Sequence, residues 1–183
     1  MRSPVRSVLS FLSHEFYESL APASGLTRPA RVAAAARRRQ ADARPGSIPP
    51  GGRLVNAAVR AQVGTGANVL IPGLVVSEGA PKTVLIRAVG PGLEQFSVSG
   101  VLAQPVVTRF VGSEGFMSNS GWNSAASASD IRAAATRVGA FSLAEGGRDS
   151  AILVSLSPGP YTIQVSGANN TRGVALVEVY EVP

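Results

Sequence analysis

Tyr161, Ile163 and Val165 alternate with Thr162, Gln164 and Ser166, and the same pattern of every second residue appears in Ile152, Val154 and Leu156. An extended chain turns successive side chains to opposite faces, so each run predicts a half-buried antiparallel strand. Between them, Ser157-Pro158-Gly159-Pro160 joins the fixed φ of proline to the freedom of glycine and predicts the turn of a closing hairpin. The last run places Leu176 among Ala175, Val177 and Val179. Being apolar on both faces, it predicts a central strand.

The same period governs the chain from Arg53 onward. Val55, Ala57, Val59, Ala61 and Val63 fall on one face, with Asn56, Arg60 and Gln62 on the other. After a turn at Gly64-Thr65-Gly66, a second strand is expected from Asn68 to Ser77, where Pro72-Gly73 forces a bulge or an edge position because proline donates no backbone hydrogen bond. Lys82 to Val89 is the third, with Val84, Ile86 and Ala88 inward and Arg87 pointing the other way. Gly90-Pro91-Gly92 ends it, and Leu93 to Phe96 fits one helical turn.

Two more strands are expected at Val106 to Val111 and around Phe116, and three closing ones near 151–156, 160–166 and 173–182. Between these groups Ile131, Ala134, Ala135 and Val138 recur at helical spacing, entered by Ser127 and Asp130 in the manner of a capping box. The chain therefore predicts an all-β, antiparallel β-sandwich of about eight strands with one short helix, lying between the sheets or across one end. Only 5% aromatic residues, with 20 glycines and 13 prolines, agree with many short strands and turns rather than a helical bundle.

Residues 1–47 have a different texture. Val5, Val8, Leu9, Leu12, Phe16 and Leu20 recur at helical spacing, which predicts a short amphipathic helix through Leu20. An Ala, Arg and Pro-rich run follows, of the composition that stays disordered or weakly helical. The division is thus a leader over 1–47 and a sandwich domain over 48–183. Charge follows the same division: the leader carries +5 and the remainder +1 of the total +6. Three readings of the leader stand open: a targeting peptide, a basic arm for nucleic acid or anionic lipid through Arg37, Arg38 and Arg39, or a linker remnant or misplaced start. His14, Glu15 and Glu18 interrupt the apolar run that a secretory signal requires, and no run is long enough to span a bilayer.

Candidate chemistry is sparse. With no cysteine and one histidine, His14, outside the domain, a thiol nucleophile, a thiolate metal site and a histidine-based relay in the domain are excluded. Asp130, Glu145 and Asp149 are the nearest set for paired-carboxylate hydrolysis. Asp130 is better read as capping the helix, and Glu145 to Asp149 as a solvated turn. Gly64-Thr65-Gly66 and Gly90-Pro91-Gly92 lack the third glycine or the lysine of phosphate loops and read as turns. Trp122 beside Asn119, Ser120 and Asn123 is the most site-like piece, since an indole stacks on a sugar face while amides bind its hydroxyls. The competing reading makes Trp122 a plug at one end of the sandwich. Arg87, alone in an apolar strand, is expected to form a structural pair with Glu178 in "VALVEVY". No metal or cofactor is expected.

From Arg53 onward, "RLVNAAVRAQVGTGANVLIPGLVV", "KTVLIRAVGPGLEQFSVSGVLAQP", "VGAF", "PGPYTIQVSG" and "GVALVEVYEVP" together resemble a β-rich domain found near the C-termini of large predicted secreted or surface proteins of Verrucomicrobia, especially Opitutus-like bacteria. The resemblance covers about residues 53–183 and implies a location and an architecture rather than an activity. Relatives carry an acidic version of the Trp122 loop, and Ser120-Gly121 replaces the acidic step here, which argues against a metal in that loop. A short chain with such a leader also resembles a fragment of a larger protein or a degenerate copy of the domain. The expected function is that of a non-catalytic extracellular or cell-surface accessory module, structural or adhesive, with weak glycan binding through Trp122, Asn119 and Asn123 as the more specific form. Its expected partners are glycans or neighbouring domains of a larger surface protein, with no nucleic acid. The alternatives are a carbohydrate-active or other hydrolytic enzyme, and nucleic-acid binding through the N-terminal arm.

Overall fold

The structure is a computed structural model and describes residues 9–12, 55–111, 114–124 and 127–183. Its strands are β1 (Leu9–Leu12), β2 (Asn56–Val63), β3 (Gly73–Val76), β4 (Lys82–Val89), β5 (Pro105–Val111), β6 (Glu114–Asn119), β7 (Ser150–Leu156), β8 (Gly159–Gly167) and β9 (Gly173–Glu181). Among the described residues one α-helix, α1 (Ala128–Arg137), lies between β6 and β7 in sequence. The strands form two antiparallel sheets, ordered β1-β3-β8-β5-β6 and β2-β9-β4-β7. The molecule is an all-β sandwich, and the eight strands expected after residue 53 are β2 to β9.

The core lies between the sheets. Val84, Ile86, Ala88, Ile152 and Leu156 from the four-stranded sheet meet Leu74, Val107, Ile163 and Val165 from the five-stranded one. A second apolar layer sits on the outer face of the four-stranded sheet, where Leu85, Ala151 and Tyr180 pack beneath Ile131 and Ala134 of α1 and against Trp122. The sheet is covered on both faces along this stretch. That is why β4 and β9 read as nearly continuous apolar runs rather than clean alternations.

Several expectations need correction. The Ser157-Pro158 turn does not close a hairpin, because β7 pairs with β4 and β8 pairs with β3 and β5, in different sheets. The two alternating rows face each other across the core instead of lying side by side, a placement that satisfies the same pattern. The helix lies neither between the sheets nor across an end. It caps an outer face. Its capping box is also not formed: Ser127 makes no side-chain bond to the helix, and Asp130 is exposed. Aspartate at that position is one methylene shorter than the glutamate the motif needs.

Leu9–Leu12 is a strand along β3, with Leu9 opposite Val76, and not part of a helix. A sheet edge offers these residues an unpaired ladder of backbone groups, whereas an isolated short helix is marginal in water. This segment groups with residues 53–183 in one compact unit. The remainder of the expected helix, and Arg37, Arg38 and Arg39, lie outside the described residues. Among the described residues, no helix is long and apolar enough to cross a membrane.

Candidate functional site

The glycine turn after β4 is shaped around an anion, and the anion is the chain's own. Asp149 is 1% exposed. Its Oδ1 accepts a hydrogen bond from the Gly90 amide at 2.8 Å, and the Gly92 amide lies 3.2 Å from each carboxylate oxygen. Two backbone N–H groups of one turn, on either side of Pro91, converge here as a concave anion seat. Glycine is needed at both positions: a Cβ on Gly90 would run into the Leu102 carbonyl oxygen, and one on Gly92 would lie 2.9 Å from the carboxylate. The solvated turn expected at 145–149 is thus half right in extent, with Glu145 exposed and Asp149 sealed inside.

The same residue anchors the tryptophan loop, since the Trp122 amide donates to the Asp149 carbonyl at 2.8 Å. Trp122 is 2% exposed, and its Nε1 donates to the Ala144 carbonyl at 3.1 Å. Asn119 is engaged at both ends: Oδ1 accepts from the Ala151 amide and Nδ2 donates to the Gly121 carbonyl. Asn123 is half-buried. Trp122, Asn119 and Asn123 therefore do not form an open stacking face of the kind expected from their spacing. The indole closes the space between α1 and the sheet, and the Arg132 guanidinium lies 5.3 Å from its ring centre.

Arg87 and Glu178 occupy opposed positions on β4 and β9, and both are buried. Arg87 Nε lies 3.3 Å from Glu178 Oε2, and the Tyr180 hydroxyl donates to Oε1 at 2.7 Å. Arg87 Nη1 donates to the Phe141 carbonyl at 2.8 Å, with the guanidinium carbon 4.4 Å from the Phe141 ring centre. Burial pulls the Arg87 pKa below its ordinary value, against the upward pull of Glu178, Tyr180 and Asp149. Burial and the bond to Glu178 push the Tyr180 hydroxyl up to about 12. Arg87 Nη2 is buried without a hydrogen-bond partner.

Beside this cluster lies a pocket of about 230 Å³, between α1 and the irregular segment that follows it. Arg87 and Trp122 line it with Ile131, Ala135 and Leu143, and the exposed pair Arg132 and Glu145 stands at its rim, 2.6 Å apart. No family model, curated protein or solved structure matches the chain. The reading of the site therefore stands on its geometry. Among the described residues, no three of the histidine, aspartate and glutamate side chains gather as a metal site would need.

The sequence pattern named Asp149 but put it in a solvated turn, away from its glycine seat; it missed Tyr180 and Phe141, and did not connect Arg132 with Glu145. The close spacing of Gly90 and Gly92 was the available signal for Asp149, since two amides so arranged need an acceptor. A second buried guanidinium, Arg109 at 5% exposure, stacks on Phe116 at 4.6 Å and lies 5.8 Å from the Tyr161 ring. It belongs to the five-stranded sheet and takes no part in this site.

Proposed function

We propose that the chain acts as a non-catalytic accessory module outside the cell or at its surface, structural or adhesive in role, with weak glycan recognition as its more specific form. The observation that carries the reading is the engagement of the buried acids by the fold. Asp149 is bound by two backbone amides, and Glu178 by Arg87 and Tyr180. A carboxylate engaged in this way serves packing, and both are buried, away from the surface where a substrate would meet them. Of the three carboxylates available for hydrolysis, Asp149 is buried in its turn, Glu145 is paired with Arg132, and Asp130 is exposed on the helix.

The test uses the full chain on a glycan array and against polysaccharide and ester substrates. Binding to a defined glycan class with no turnover is the expected result. Turnover that disappears in Asp149→Asn would overturn the non-catalytic reading, and a blank array would leave the structural role alone.

A further inference from the structure

We propose that the pocket between α1 and the segment after it receives the acetamido group of an N-acetylated amino sugar. The inference rests on the glycan reading above and gives it a chemical class. Size sets the first limit, because 230 Å³ lies below the roughly 300 Å³ at which pockets begin to enclose drug-sized ligands. One substituent or a single sugar fits there, and an oligosaccharide does not.

Charge sets the second limit. Arg87 already faces Glu178 and Arg132 already faces Glu145, so the lining is close to neutral. A carboxylate ligand would add a further negative charge beside two acids, while a neutral acceptor adds none. Arg87 supplies the need for that acceptor. It is fully buried, lines the pocket and keeps Nη2 without a partner. An amide oxygen is a strong neutral acceptor for such a donor.

The third limit is apolar. Ile131, Ala135 and Leu143 line the pocket and suit a methyl group. An acetamido group combines that methyl with the carbonyl oxygen. At the rim, Arg132 offers donors and Glu145 acceptors for ring hydroxyls. Nη2 is sealed in this structure, so the ligand must reach it by shifting residues 138–149, which form no helix or strand, and in doing so it competes with the Phe141 carbonyl that Arg87 Nη1 already holds.

The test titrates the full chain with N-acetylglucosamine, glucosamine and glucose, read by calorimetry and by the emission of Trp122, the single tryptophan. N-acetylglucosamine should bind at least about tenfold more tightly than glucose, and Ala135→Leu, which fills the pocket, should weaken it by about the same factor. Ala140→Leu fills another part of the lining and replaces the first variant if that one does not fold. Equal binding of glucose and N-acetylglucosamine would overturn the acetamido assignment and leave the glycan reading intact. Unchanged affinity in a folded, plugged variant would overturn the pocket. Absence of binding by any sugar here and on the array would overturn both.

Discussion

Glu178 accepts from Tyr180 on one oxygen and faces Arg87 on the other, so removing its charge leaves a buried guanidinium without its counter-ion. Glu178→Gln should lower stability by about 3 to 5 kcal/mol in urea unfolding, the usual result of breaking one half of a buried pair. Replacing the cluster together, as Arg87→Met with Glu178→Leu and Tyr180→Phe, should recover most of that loss, because no buried charge then remains unpaired. Tyr180 adds a pH dependence of definite sign. Its hydroxyl holds a proton more tightly folded, at about 12, than at its ordinary 10.0, so its contribution is complete below pH 10 and is lost as pH rises through 12. Urea midpoints across that window should fall in the native protein and fall less in Tyr180→Phe. Asp149→Asn should cost about 1 to 3 kcal/mol by leaving one glycine amide of its seat poorly matched. Arg87 and Glu178 were legible in the sequence because a lone charge inside an apolar run demands a partner. Asp149 was not, because Glu145-Gly146-Gly147-Arg148-Asp149 has the composition of a solvated turn, and its seat lies 59 residues away at Gly90.

The elements show a similar division. Strand positions were readable because period two reports which residues face the core, and the resulting ranges fall close to β2 and β4 to β9. That period does not report which sheet a strand joins, so the Ser157-Pro158 turn looked like a hairpin while joining opposite sheets. The apolar stripe of α1 was equally plain, but the surface it covers depends on Leu85, Ala151 and Tyr180, which three separate strands bring together. Ile131→Ala should cost about 2 to 4 kcal/mol, the range for removing a buried branched side chain, and shift the emission of Trp122 to longer wavelength if α1 lifts from the sheet. β9 lies between β2 and β4 and is buried over most of its length. Truncation after Gly173 should therefore abolish the cooperative urea transition and the near-ultraviolet circular dichroism; a truncated chain that keeps both would refute a locking role for this strand.

Across the whole molecule, the chain passes from one sheet to the other at nearly every connection. Among consecutive described strands, only β5 and β6 are partners in a ladder. The pairing of Asn56 with Tyr180 closes almost the full span of the domain. Such long-range pairings place folding in the range of about milliseconds to seconds, slower than helical bundles of similar size, and stopped-flow refolding followed by Trp122 measures it directly. The central place of β9 has a further consequence for the chain as it is made. β2 and β4 emerge early from the ribosome, yet the strand that joins them is synthesised more than eighty residues after β4 ends. Until then their facing edges have no native neighbour, and the nascent domain must keep both from pairing with other chains.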